Sequence, residues 1–579
     1  MKKIILLPPE LSAKIAAGEV IERPFSVVKE LVENSLDAGA SEVRVHLERG
    51  GKKLIRVMDN GEGMSPEDAE ICFERHATSK IAEEADLEKI ETLGFRGEAL
   101  PSISAVSRVT LKTSRGAGAG FLVEREGNQT VRMGDTAFPR GTSVEVRDLF
   151  FNLPARRKFL RSEKSELFQV VRFLNRLALA FPQTRFSLSH GSRRIFDYPG
   201  VAQLRERIFQ VFGKEALERL MALDFAEETT RISGFVSRPL QGRRNRSRQF
   251  IFVNGRPVQD KTIQAALNQT FQGYLEKDRV PEAILFVSMP AAHVDVNVHP
   301  TKAEIRFRDA GAVFHAVRLG LLHALTRASH AKSVRSSLSV PAGSEASAPP
   351  AQRFPARGRL AAPKPQPEVR EEWLPAFEGE GEGLRVFGQY QKTFILASDD
   401  RGLLVIDQHN AHERVLYEKY ADIDRKKDWP RKMALFPAVI DLTPAQALSY
   451  ESNQGLLEEV GYRVEDMGGR SFALKEYPDI FSQDEAQEVF LSLLDEMRED
   501  KAADKKKKIL AELACRTAVK AGQVLSSSRM KYLVEELFRT SKASVCPHGR
   551  PILLRLEKDA IEKAIGRKSR SPRKTTKKL

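Results

Sequence analysis

The sequence predicts a multidomain α+β protein whose two folded halves are joined by a flexible linker. Three observations predict it. At 579 residues the chain is too long for one hydrophobic core, so two to four domains are expected. Composition breaks between Ala331 and Gly383, where eight of the 29 prolines fall among Ser, Ala and Gly before a closing Glu-Gly repeat. On either side of that break, alternating apolar runs of strand type are interleaved with helical periodicity.

The elements follow in order. An amphipathic helix ends at Ala38-Gly39-Ala40. Two strands come next, Val43–Leu47 and Leu54–Met58, with Gly50-Gly51 near the turn between them. After Leu204 a second α/β domain is expected, with strands Gln249–Val253 and Ala283–Val287. The stretch 331–383 cannot bury enough apolar surface to offset its ordering entropy. As a flexible chain it would span roughly 40 Å root-mean-square, so the halves can approach or separate. From about Arg385 the pattern shows strands at Phe394–Ser398 and Leu403–Asp407, then mostly helices. The end, 567–579, is basic and aperiodic and reads as a tail.

Composition narrows the class. Hydrophobic residues make up 41% and charged residues 30%, as in globular domains joined by polar segments. No run is long enough to span a membrane, and Pro8-Pro9 cuts off the short Ile-Ile-Leu-Leu run near the start, so a cytoplasmic protein is expected. Only Cys72, Cys515 and Cys546 occur, which argues against a disulfide framework and leaves thiols available as metal ligands. Lys and Arg total 93 against 78 Asp and Glu, a net charge of +15 that favours a polyanionic partner such as DNA.

No G-x-x-x-x-G-K-[ST] segment occurs, so a nucleotide site must be built without a P-loop. In the first helix the Glu30 carboxylate and Asn34 amide are four residues apart, on one face. Such an amide oxygen can hold Mg²⁺ while the carboxylate takes a proton from water beside the γ-phosphate; taken alone, the pair also fits an ordinary surface face. Asp59-Asn60-Gly61-Glu62-Gly63 follows a strand with an acceptor carboxylate and two permissive glycines. Gly94-Phe95-Arg96-Gly97 enters a helix whose free N–H groups suit phosphate oxygens, and Gly141-Thr142 completes the set.

In these four motifs the chain resembles the ATPase superfamily of gyrases, chaperones, histidine kinases and MutL. The flanking Ala16–Val20, Arg75–Lys80 and Pro154–Phe159 narrow the resemblance to MutL. It implies a Bergerat-type α/β sandwich ATPase over 1–203, a ribosomal-protein-like α/β transducer domain over 204–330, the linker over 331–383, and a C-terminal α+β dimerisation and endonuclease domain over 384–566. A regulatory subdomain would occupy about 431–505. Glu30 would be the general base and Asn34 the Mg²⁺ ligand. Asp59 would take the adenine amino group, with Thr142 assisting through water, and Gly61, Gly63, Gly94, Arg96 and Gly97 would lie around the nucleotide. Thr78, Ser79 and Lys80 would belong to a lid, and Lys302 would reach the γ-phosphate from the transducer domain.

Beyond the linker, Asp407-Gln408-His409 runs from a strand end into a helix, with Asp407 suited to the N-cap. His409 and Glu413 share one helical face and can share a metal. Glu418 falls about half a turn away by periodicity and is not expected as a ligand. Cys515, in Ala-Cys-Arg, and the extended Cys546-Pro547-His548 add further donors. A capped helix and an unrelated Cys-Pro turn would look the same by spacing alone. Together these segments resemble the signature of the endonuclease-bearing MutL branch, with Asn410 where the family usually has alanine.

The resemblance implies an ATP-gated mismatch repair protein, a homodimer, acting on DNA largely without sequence preference and associated with the nucleoid. Zn²⁺ would be structural or regulatory, and Mn²⁺ or Mg²⁺ would activate nicking through Asp407 and Glu413, with Asp407, His409, Glu413, Cys515, Cys546 and His548 as the metal set. MutS would be a partner, and the sliding clamp another, although Arg431–Pro437 lacks the usual leading glutamine. A non-catalytic matchmaker with a structural metal is the alternative. The clusters Arg156-Arg157-Lys158 with Arg161, and Arg243-Arg244 with Arg246 and Arg248, are candidate phosphate contacts.

Overall fold

The computed structural model describes residues 17–18, 20–81, 83, 92–94, 97–116, 118–243, 246–275, 279–295, 305–337, 383–468, 470–497, 502–520, 522–565 and 567. Arg96, Lys302, most of the expected linker and nearly all of the basic tail lie outside them.

The expected hairpin forms, as Glu42–Glu48 and Leu54–Asp59, with the turn made by Arg49-Gly50-Gly51. It is the centre of an eight-stranded sheet. Leu54–Asp59 also pairs antiparallel with Gly141–Arg147, which pairs with Arg108–Ser114, while Glu42–Glu48 runs parallel to Arg185–His190. The register places Val43, Asp59, Thr142 and Thr113 opposite one another across four strands. Asp59 is therefore the last residue of its strand and aligned with a threonine row.

Helix α1, Pro24–Asp37, starts with proline at a first-turn position, where its missing N–H costs nothing. Its Val27, Val28, Leu31 and Val32 are buried with Val45, Leu47, Ile55 and Val57 of the sheet and Val170, Leu174 and Leu177 of α2, Glu163–Ala180. That apolar stripe leaves the opposite stripe of α1, which carries Glu30, Asn34 and Asp37, partly open. The helix stops at Ala38, followed by Gly39 at φ +69, a left-handed position that favours glycine.

The second domain is a five-stranded sheet in which Gln249–Val253 pairs parallel with Ala283–Ser288. Ile232, Val236, Ile251 and Leu285 pack against Val317, Leu321 and Leu325 of α3, Ala310–Ser337. This helix runs seven residues past the boundary expected at 330, because helical hydrogen bonding does not stop where the apolar periodicity fades.

After the linker, Arg385–Tyr390, Phe394–Asp399, Gly402–Asp407 and Leu553–Glu557 form a four-stranded sheet. Asp407 ends the third strand and opens α4, Gln408–Lys426. A separate core of Tyr462, Phe472, Leu474, Phe490 and Leu493 belongs to a three-stranded sheet of Arg431–Asp441, Ser471–Pro478 and Arg463–Asp466. The stretch after Asp407 is mostly helical, as expected, and this small sheet is what the periodicity did not announce. Arg431–Asp441 is an edge strand with Met433, Leu435 and Phe436 at 80%, 92% and 83% exposure, so it lacks the in-out alternation that marks a strand. Among the described residues, no helix is long and apolar enough to cross a membrane.

Candidate functional site

Two clusters of functional side chains emerge, one in each half. In the first, Asp59 is held by three donors: Ser35 Oγ at 2.8 Å, Gly61 N at 3.0 Å and Thr142 N at 3.2 Å. Burial nevertheless raises its pKa above the ordinary aspartate value, against the pull of these bonds. Thr142 Oγ1 lies 3.0 Å from Thr113 Oγ1, which accepts from Met64 N at 2.9 Å and so fixes the turn after Asp59. Gly63, at φ +72, is pressed against the Ser114 carbonyl, where no Cβ fits.

On α1, Lys29 donates to Glu30 at 2.8 Å and to Glu33 at 3.2 Å. Burial works to lower the Lys29 pKa, but the two carboxylates overcome it and leave the ammonium above its ordinary value. One turn on, Lys80 Nζ donates to Asn34 Oδ1 at 2.8 Å and to Asp37 Oδ2 at 2.6 Å. Asp37 also accepts from Leu93 N at 2.7 Å and Gly94 N at 3.0 Å. Lys80 N bonds Thr78 Oγ1 at 3.2 Å, with Ser79 between them, and His76 N bonds the carbonyl of Gly97, itself at φ +62. The structure therefore gathers Glu30, Asn34, Asp59, Gly61, Gly63, Thr78, Lys80, Gly94, Gly97 and Thr142 around one side of α1 and the adjoining strand ends.

Sequence reasoning missed two residues here. Asp37 lies seven positions after Glu30 and three after Asn34, on the same stripe, so helical periodicity could have found it. Arg256, buried on the second domain, donates to the Thr92 carbonyl. Nothing local in the sequence announces that contact.

In the second cluster α4 carries His409 and Glu413 on one face, as the spacing predicts. Two donor groups meet there, His409–Glu413–Cys515 and Glu413–Cys546–His548, each with its ligand atoms within 4.8 Å of one another. Glu413 is common to both and 2% exposed. Its Oε1 lies 2.8 Å from His548 Nδ1. Burial tends to raise the Glu413 pKa, but His548 and the two thiols bring it below the ordinary value, and the same contact raises that of His548. His409 Nδ1 is 2.9 Å from the Val519 carbonyl; a carbonyl only accepts, so Nδ1 is the donor.

Asp407 caps α4, accepting from Asn410 N at 2.9 Å, and belongs to neither donor group. Glu418 accepts from Ser541 N and Oγ, at 3.0 and 2.7 Å, and likewise stands outside both. Cys72 caps a short helix, and burial pushes its thiol up to about 12.

His412 was not singled out. Its Nδ1 accepts from Val519 N at 2.9 Å, so His412 and His409 hold Val519 by its N–H and its carbonyl. Burial, with help from nearby positive charges, pushes its pKa down to about 4. Because the folded pKa lies below the ordinary 6.5, this contribution to stability is complete above pH 6.5 and is lost as pH falls from there toward 4. At about 1.4 kcal/mol per unit the total is about 3 kcal/mol. The urea midpoint of the metal-free full chain, followed through buried Trp429, is expected to fall between pH 7 and pH 5. His412→Gln should flatten that fall; an unchanged slope would remove His412 from the explanation.

Three of the expected phosphate-contacting arginines are instead used internally. Arg156 donates to the Gly18 carbonyl at 2.7 Å and stacks where a Gly18 side chain would stand. Arg248 and Arg243 turn inward to buried Glu282, at 3.2 and 3.8 Å. Exposed Arg157, Lys158, Arg161 and Arg246 remain among the described residues of the two clusters, and Arg244 lies outside them.

Comparison with known proteins assigns three segments. Residues 22–122 match the family described as "Histidine kinase-, DNA gyrase B-, and HSP90-like ATPase". Residues 208–326 match "DNA mismatch repair protein, C-terminal domain", and 387–525 match "MutL C terminal dimerisation domain". At full length the chain is similar to the DNA mismatch repair protein MutL of Koribacter versatilis, 37% identical over 98% of this chain and 100% of the relative. It is also similar to that of Anaeromyxobacter dehalogenans, 39% identical with the same coverage. Among solved structures it is similar to the Aquifex aeolicus MutL ATPase domain complexed with ADP, 32% identical over 52% of this chain and 98% of that one, at a TM-score of 0.36.

Proposed function

The chain belongs to the MutL family of DNA mismatch repair proteins, with an ATPase domain and a C-terminal dimerisation domain, and we propose that it is an ATP-gated dimeric clamp that nicks DNA itself. The observation that carries the nicking activity is the convergence of four donors, His409, Cys515, Cys546 and His548, on the buried Glu413 carboxylate. Thiolate, imidazole and carboxylate ligands suit Zn²⁺, and an adjoining Mn²⁺ or Mg²⁺ would supply Lewis-acid charge to a DNA phosphodiester. In this reading Glu413 joins the two donor groups, Val519 orients His409, and Asp407 presents its carboxylate at the mouth of α4. The domains are taken as 1–203, 204–330, 331–383 and 384–566, with a tail over 567–579.

In the ATPase half, Asp59 accepts the adenine amino group, Thr142 supports it, and Glu30 takes the proton of the attacking water. Asn34 Oδ1 would hold Mg²⁺, a role its present contact with an ammonium group suits. Phosphate-contacting roles for Lys302 and Arg96, which lie outside the described residues, rest on the family resemblance alone. ATP binding brings the two ATPase domains together, and hydrolysis through Glu30 reopens them. Dimerisation is supported by an apolar sheet face in which Leu396, Val405 and Leu554 form one row and Leu403 and Leu556 lie beside it. MutS recruits the dimer to a mismatch, and the exposed Met433, Leu435 and Phe436 are the candidate sliding-clamp contact.

The alternative is a matchmaker whose metal is purely structural. Supercoiled plasmid incubated with purified protein and Mn²⁺, with and without ATP, separates the two. Relaxed circles are expected, with Asp407→Asn nicking about 100-fold more slowly. Intact plasmid would favour the matchmaker, and an Asp407→Asn variant that nicks like wild type would remove Asp407 from the chemistry.

A further inference from the structure

We propose that Lys80 is an internal stand-in for the nucleotide's Mg²⁺, holding the cation seat on α1 until Mg²⁺ and nucleotide displace it. The inference rests on the reading of Asn34 as the Mg²⁺ ligand and adds how the seat is kept before nucleotide arrives. The Lys80 ammonium lies 2.8 Å from Asn34 Oδ1 and 2.6 Å from Asp37 Oδ2, both on the open stripe of α1. A Cβ on Gly94 would meet Lys80 Nζ at 3.2 Å and Asn34 Oδ1 and Asp37 Oδ2 each at 3.6 Å, so the glycine backbone passes close beside this ammonium and its two acceptors. A second cation on the same amide oxygen would face the ammonium at contact distance, and like charges repel strongly there. Lys80 and Mg²⁺ therefore exclude each other.

The same ammonium neutralises a carboxylate that has a second task. Asp37 accepts from Leu93 N and Gly94 N, and Thr92 Oγ1 in turn bonds the Gly94 carbonyl at 2.7 Å. The Thr92 carbonyl accepts from buried Arg256 of the second domain. Segment 92–94 is thus fastened to the Lys80–Asp37 pair on one side and to the transducer domain on the other. Displacing Lys80 leaves Asp37 facing Mg²⁺ and loosens segment 92–94, and Arg256 carries that change to the neighbouring domain. Lys80 and Asp37 are positioning residues in this scheme.

The test is the full-length protein's affinity for β,γ-imido-ATP in EDTA and in excess Mg²⁺, taken as the ratio of the two Kd values. Lys80→Met is expected to raise that ratio about tenfold over wild type, because nothing then substitutes for Mg²⁺ in EDTA or competes with it afterwards; Lys80→Arg should restore most of the wild-type ratio. If Lys80 only touches phosphate, both affinities fall together and the ratio stays put, which would overturn the proposal. Asn34→Ala separates the underlying reading: a ratio equal to wild type there would mean that Asn34 is not the Mg²⁺ seat. Amide hydrogen exchange of residues 92–94 in nucleotide-free protein gives a readout independent of nucleotide. Lys80→Met should speed it about tenfold while the sheet strands stay protected, and unchanged exchange would also count against the proposal.

Discussion

Glu30→Ala is expected to bind nucleotide as wild type does and to hydrolyse it about 100- to 10,000-fold more slowly, the span attributed to a positioned general base. At about 1.4 kcal/mol per factor of ten, that is about 3 to 5 kcal/mol of barrier. The large effect follows from placement. Glu30 lies on the stripe of α1 that the apolar core leaves open, one turn before Asn34, and Lys29 at 2.8 Å holds its carboxylate in one orientation. The other carboxylate on that stripe, Asp37, lies two turns further on and is engaged by Leu93 N and Gly94 N. Single-turnover hydrolysis beside a binding measurement checks it. Because hydrolysis is read as the step that reopens the clamp, the variant should also accumulate closed dimers with ATP. Wild-type turnover would take the role from Glu30; slow turnover with open dimers would instead separate hydrolysis from gating.

The second large effect is expected at Glu413. Glu413→Gln keeps the shape and removes the charge of the one residue shared by both donor groups. A ligand set of two thiols and two imidazoles then loses its bridging carboxylate, and His548 loses the partner at 2.8 Å that orients it. Since disturbing even a supporting contact typically costs 10- to 100-fold in metal affinity, loss of this group should lower zinc retention by about 100-fold or more. Zinc content after dialysis and Mn²⁺-dependent plasmid nicking should fall together. A variant that keeps its zinc would place the metal elsewhere, whereas one that loses zinc but nicks normally would make the metal structural. Burial raises the Cys546 pKa, so metal uptake must displace that proton, and retention should weaken as pH falls.

Much of this was legible in the residues alone. The hairpin before Asp59 was found to within one residue at each end, because one face is buried and alternation follows directly from the two-residue strand repeat. Glu30 with Asn34, and His409 with Glu413, could be paired from helical spacing without any tertiary information. The strand Arg431–Asp441 was not legible, because an exposed edge strand carries no alternation. The basic clusters misled for a related reason: charge runs look alike whether they face solvent or, as with Arg243 and Arg248, close on a buried glutamate.

What the sequence by itself determined are the elements and the residues that share one helix face or one strand end, since those depend on periods of a few residues. The tertiary structure alone decided which distant pieces meet. Chain pairing brings Leu553–Glu557 beside Gly402–Asp407 and so carries Cys546 and His548 to Glu413, and docking of the second domain sets Arg256 on Thr92. The same holds at the nucleotide site. Spacing placed Glu30 and Asn34 together, but only the folded chain put the Lys80 ammonium on Asn34, because that contact depends on the return of a segment 46 residues away.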